Sequence, residues 1–143
     1  VEARLMTQTP MPSFAEPFIR RRALAHLEKG RVLVFSGGTG SPFFSTDTAA
    51  ALKAVEIGAD AILKGTKVDG VYSADPKKDP DARRFERITH AQVLNQGLTI
   101  MDTAAIALAR ENNIPIIVYS IHEPGGLGEI LTGGGRCTVV SDE

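Results

Sequence analysis

The stretch richest in chemistry is Gly37-Gly38-Thr39-Gly40-Ser41-Pro42-Phe43-Phe44-Ser45-Thr46-Asp47. Glycines let a backbone come close to phosphate oxygens. A helix starting at the end of such a loop adds unpaired N–H donors and a favourable dipole. Thr39, Ser41, Ser45 and Thr46 bring hydroxyls that can bind a phosphate or a sugar without adding charge. The same pattern also serves as a plain turn, with Thr46 or Asp47 as an ordinary helix cap. The adjacent aromatics Phe43 and Phe44 have two uses in a polar loop: to plug the core, or to form a flat wall for a base.

Other reactive side chains are dispersed. His26, His90 and His122 have no ligand-like spacing, so neither a metal site nor a histidine-centred triad is expected. The single cysteine, Cys137, precedes Thr138-Val139-Val140 and reads as a small buried hydrophobe.

The glycine stretch needs elements to hold it. Val32-Leu33-Val34-Phe35 reads as an apolar strand buried on both faces. A helix should start near Thr46-Asp47 and stop at Gly58, and Ala59 to Leu63 should form a second buried strand. Strand, glycine loop, helix and strand within about 30 residues make one βαβ unit. Upstream, Ser13 and Glu16 have capping-box spacing and Ile19, Ala23 and Leu27 recur at four-residue intervals, which predicts a helix ending at Gly30. Arg20-Arg21-Arg22 within it reads as a solvated face.

Downstream, Asp69-Gly70 between valines has the dipeptide of a tight hairpin turn. Ala74 to Arg87 is a polar excursion broken by Pro76 and Pro80. Helices are expected over Thr89–Asn95, from an Asp102 cap to Asn112, and over Gly125–Leu131. Strands are expected over Ile114–Tyr119 and Cys137–Val140. Alternating strands and helices predict an α/β fold with a largely parallel sheet covered on both faces, and ligands then bind beyond the carboxyl ends of its strands.

The bulk numbers agree with one domain. The chain has 143 residues, 43% hydrophobic and 23% charged, with net charge −1. Such a balance lacks the one-sided basic excess of a nucleic-acid or anionic-membrane partner. No run approaches the ~18 apolar residues of a membrane span, so a cytoplasmic setting is expected. The chain opens on Val1-Glu2-Ala3 without a methionine, which reads as a segment starting inside a fold.

The string Gly38-Thr39-Gly40-Ser41-Pro42-Phe43-Phe44-Ser45-Thr46-Asp47 closely resembles the UMP-binding loop of bacterial uridylate kinases. Leu63-Lys64-Gly65-Thr66-Lys67-Val68-Asp69-Gly70-Val71-Tyr72-Ser73-Ala74-Asp75-Pro76 is similar to that family's ATP-side segment. Ala3-Arg4-Leu5-Met6, Met101-Asp102-Thr103-Ala104-Ala105 and Asn113-Ile114-Pro115-Ile116 fit its pattern in order and spacing. The resemblance implies the amino-acid-kinase fold, a three-layer αβα sandwich with a mainly parallel sheet and its N-terminal part missing. Residues 1–143 would then be the C-terminal, nucleotide-binding part of a single domain.

By the same resemblance, Thr39, Gly40, Ser41, Pro42, Phe43, Phe44, Ser45 and Thr46 would hold UMP. Asp47 would be catalytic, orienting a lysine or the magnesium shell. Thr66, Tyr72 and Asp75 would hold ATP, with Lys64 and Lys67 as further candidates for neutralising phosphate charge. The implied reaction is transfer of the γ-phosphoryl group of ATP to UMP with Mg2+, in de novo pyrimidine nucleotide biosynthesis. GTP activation, UTP inhibition and a homohexamer are implied as well. The family's Lys-x-Ser-Gly loop and its second glycine-rich loop have no counterpart in this sequence, so normal catalysis by this chain alone is not expected. The alternatives are a non-catalytic nucleotide-binding fragment and a carboxylate kinase of the same fold.

Overall fold

The computed structural model describes residues 1–142. Two sheets organise it. The first has the order β2-β1-β3, from β1 (Ala3–Thr7), β2 (Glu16–Pro17) and β3 (Val32–Ser36), all parallel. The second has the order β4-β6-β7-β5, from β4 (Ile62–Thr66), β5 (Arg87–Ile88), β6 (Ile116–Ser120) and β7 (Cys137–Val140). Within the two sheets only the β6–β7 pairing is antiparallel among the described residues, so the expected mainly parallel character is present. The helices are α1 (Arg20–Leu27), α2 (Thr46–Ile57), α3 (His90–Asn95), α4 (Thr103–Glu111) and α5 (Gly126–Leu131).

The main core lies between α2, α4 and the second sheet. Ala51, Ala54, Ala105 and Ala109 let the two helices approach, and Ile62, Ile116, Val118 and Val140 come up from the strands. Small residues on the helices and branched ones on the strands fit the packing each element needs.

Several elements differ from the sequence reading. The helix expected from Ser13 starts only at Arg20, and Ile19 at its cap makes no side-chain capping bond. Glu16 and Pro17 instead pair with Met6 and Thr7 as a two-residue edge strand, where a proline costs no ladder donor. The β3 run is not buried on both faces: Val32 and Val34 are 52% and 51% exposed, and Leu5, in register with Val34, is 42% exposed. The opposite face is covered, with Met6 fully buried and Phe35 edge-to-face against Phe18 at 5.6 Å. An all-apolar run therefore marked one covered face, and the first sheet is not covered on both sides.

The second strand begins at Ile62 because Gly58 and Ala59 are used to close α2. Gly58 adopts φ +66, and its amide and that of Ala59 cap the last helical carbonyls. Nor do β3 and β4 pair as a closed βαβ unit: each is the end strand of its own sheet. Their ends and α2 line a shared cavity of about 490 Å³.

Asp69-Gly70 makes no hairpin turn. The space of the missing Gly70 side chain is occupied by the Thr138 hydroxyl, which accepts from the Val71 amide at 2.9 Å. The chain reverses later, where Tyr72 bridges to Arg84. Other expectations hold within a residue or two: α3 runs from His90 to Asn95, where the structure adds a capping box between Thr89 and Gln92, and Asp102 caps α4.

Candidate nucleotide site

The glycine loop leaves the carboxyl end of β3 and enters α2, as its sequence requires. Gly37, Gly38 and Gly40 take φ +78, +59 and +74, and the loop closes with Gly40 N donating to Gly37 O at 3.2 Å. Thr39 Oγ1 and Ser41 fold a local turn through two 3.1 Å bonds. Phe43 is the unusual member, with φ +69 and a fully exposed ring; Phe44 is also exposed. Neither aromatic plugs the core. Both remain available as apolar surface at the rim of the loop.

The cap of α2 is Ser45, not Thr46 or Asp47: its hydroxyl oxygen accepts from the Asp47 and Thr48 amides at 3.0 and 3.3 Å. This frees the Asp47 carboxylate from local capping. It accepts instead from Lys64 Nζ on β4, a short ion pair of two half-buried side chains. The sequence reading named Lys64 only as a secondary candidate, and tertiary structure sets it against Asp47.

Beyond Lys64 opens a cavity of about 560 Å³. Thr66, Tyr72 and Asp75 all line it, together with Lys64 and the α3–α4 connection Gln96–Ile100. Thr66 Oγ1 donates to the Val68 carbonyl at 3.0 Å and accepts from its amide at 2.9 Å, so it shapes the wall as a turn. Asp75 accepts from the Lys77 amide at 3.0 Å, again a turn role. Tyr72 donates its hydroxyl to Asp69 at 2.7 Å. Burial pushes the Asp69 carboxyl up, but the Tyr72 hydroxyl, a backbone amide and the Arg136 and Arg84 guanidinium groups outweigh it and hold the group below its ordinary range. Tyr72 is correspondingly raised, mainly because its proton is held by Asp69. No motif in the sequence singles out residues 96–100; the fold brings them to the wall, where Gly97 turns at φ +63.

Asp102 joins the two halves. It caps α4 by accepting from Ala105 N at 2.7 Å, and it accepts from the Thr48 hydroxyl at 2.9 Å and from the Ser45 hydroxyl. Burial opposes its charge, but the Ser45 hydroxyl, the Ala105 amide and Thr48 together lower its pKa. The sequence marked Asp102 as a cap and gave no sign of its grip on α2.

A model of the Amino acid kinase family matches residues 8–120. This chain belongs to the amino acid kinase family. A uridylate kinase of Mesorhizobium japonicum is 69% identical over the whole chain, which covers 60% of that relative. A uridylate kinase of Brucella anthropi is 64% identical over 99% of the chain and 59% of the relative. The chain thus spans about 60% of the length of the curated relatives it matches. Among solved structures, UMP kinases of Ureaplasma parvum and Bacillus anthracis superpose with TM-scores of 0.95 and 0.96 at 36% and 39% identity. Each likeness covers 99% of this chain, and 61% and 59% of the respective structure. The amino-acid-kinase fold is therefore that of this chain, as a mixed α/β structure.

Among the described residues, no cluster of three or more His, Cys, Asp or Glu could hold a metal, and no helix is long and apolar enough to cross a membrane.

Proposed function

We propose that residues 1–143 are the C-terminal, nucleotide-binding part of a UMP kinase domain, which transfers the γ-phosphoryl group of ATP to UMP. The observation that carries this reading is the Asp47–Lys64 pair. It joins the head of the glycine-loop helix to the cavity lined by Thr66, Tyr72 and Asp75. The names of the relatives, uridylate kinase and UMP kinase, support the choice of nucleotides.

In this reading UMP lies on the loop from Thr39 to Thr46, and ATP occupies the cavity. Phosphoryl transfer asks a protein mainly for in-line positioning and charge neutralisation. The UMP phosphate is already a nucleophile, so no general base is needed. Lys64 supplies a positive charge between the two nucleotides, and Asp47 holds it there. Mg2+ accompanying ATP usually takes one or two carboxylates besides phosphate oxygens. Asp47 fits that need, and the bound ion would neutralise phosphate charge. The proposal extends to GTP activation, UTP inhibition, a homohexamer and a cytoplasmic setting for the whole protein.

Calorimetric titration of the chain with UMP, CMP, MgATP, aspartate and glutamate tests the reading, followed by UDP and ADP detection. Binding of UMP and ATP, with little turnover, is expected. Affinity for a carboxylate acceptor in place of UMP would overturn the assignment. Rapid UDP formation by this chain alone would overturn the view that a Lys-x-Ser-Gly segment is needed.

A further inference from the structure

We propose that Lys53 is a positioning residue for the glycine loop, acting through the side chain of Gln8; the inference rests on the UMP-binding reading of that loop. Lys53 stands on α2 and is only 6% exposed. Buried ammonium groups are retained where their donors are used. Here Nζ donates to Gln8 Oε1 at 3.0 Å and to Glu56 Oε2 at 2.6 Å, and it sits 3.4 Å from the centroid of the Phe18 ring. The ammonium is thus fixed from three sides, by α2 itself, by Phe18 and by the residue that follows β1.

Gln8 is where the glycine loop comes to rest. Its backbone amide donates to Ser36 O at 3.0 Å, at the end of β3. Its side chain lies against Gly40, so closely that a Cβ on Gly40 would come within 2.8 Å of Gln8 Cγ. Gly37 approaches the same segment, with a Cβ there 3.0 Å from Thr7 Oγ1 and 3.1 Å from Thr9 N. The loop is therefore seated on Thr7-Gln8-Thr9, and Gln8 is its moveable part. A glutamine side chain has several staggered rotamers. Holding its amide oxygen with Lys53 selects the rotamer that places Cγ beneath Gly40. The hydrogen bonds of Lys53 Nζ go to Gln8 and Glu56, neither of them assigned to UMP, so its effect on the loop runs through Gln8.

The test compares Lys53→Met, Lys53→Arg, Gln8→Ala and the double variant Lys53→Met/Gln8→Ala in the full chain. Hydrogen exchange of the Gly38–Ser41 amides should rise on the order of tenfold in Lys53→Met. Affinity for UMP should fall by about tenfold and affinity for ATP by less than about twofold, because only the loop loses its preset shape. Gln8→Ala should match Lys53→Met, the double variant should be no worse, and Lys53→Arg should recover most of the effect. Unchanged loop exchange, or independent and additive effects of the two substitutions, would overturn the inference and leave Lys53 a stabiliser of the α2–β1 contact alone. If the unsubstituted chain fails to bind UMP, the proposed function falls, and the exchange measurement still decides the role of Lys53.

Discussion

Asp47 and Lys64 stand 17 positions apart in the chain, on a helix and a strand that share no ladder, yet their side chains form a direct ion pair. The pair exists because Ser45 takes over the capping of α2, leaving the Asp47 carboxylate free to reach β4. Its worth to stability is small, since the side chains are 28% and 25% solvent-exposed and such pairs contribute roughly 0–1 kcal/mol. In the proposed function, its worth to chemistry is the placing of a cation.

Asp47→Asn should therefore change the unfolding free energy by less than about 1 kcal/mol. In a protein with the complete catalytic apparatus it should lower kcat by about 10²-fold or more, the scale of losing a preorganised charge. Lys64→Met should resemble it, and the double variant should be little worse than either. Steady-state kinetics beside urea unfolding separate the two effects.

Asp102 is expected to matter for folding as well. Its carboxylate caps α4 and accepts from hydroxyls at the head of α2. Asp102→Ala should cost about 2 kcal/mol, near the upper end for loss of one cap, because two helix ends lose their partner. A urea midpoint unchanged from the unsubstituted chain would refute the shared cap.

The same group gives a pH dependence. The folded pKa of Asp102 lies below the ordinary range of an aspartate, as does that of Asp69. The unfolded chain then binds protons first, so the stabilisation is complete above the unfolded values and is lost as pH falls through the folded ones. Denaturation curves should stay flat in this respect from pH 7 to about 5 and steepen below about 4. Asp102→Asn and Asp69→Asn should each flatten that acid limb.

Phe43 carries left-handed backbone with an exposed ring. That conformation costs about 1–2 kcal/mol in a residue other than glycine. Phe43→Asn, which tolerates it better, should raise the melting temperature or leave it unchanged while weakening nucleotide binding. A lowered melting temperature would mean that the ring packs in solution.

Gly70→Ala probes the close approach to Thr138. An added methyl group meets the hydroxyl that accepts from Val71 and donates to Phe85, so about 1–3 kcal/mol should be lost. Neutral behaviour would show that the strand can shift.

The sequence determined the features carried by local chemistry. The glycine loop between an apolar strand and a helix, the stop at Gly58, the short helix opening at Thr89 and the cap at Asp102 depend on neighbouring residues alone, and the structure contains each of them. Its errors arose where distant groups compete for a residue. Ser13 and Glu16 had helical spacing, but pairing with β1 drew Glu16 and Pro17 into a strand. Asp69-Gly70 had turn composition, but Thr138 claims the space beside Gly70. Four consecutive apolar residues in β3 could not say which faces would be covered, because periodicity records side-chain direction and not what lies opposite. Tertiary structure alone decided that Asp47 meets Lys64, that Asp102 holds two helices, and that the 96–100 connection closes the cavity lined by Thr66, Tyr72 and Asp75. Those are meetings of side chains far apart in the chain, and only packing of the elements fixes them.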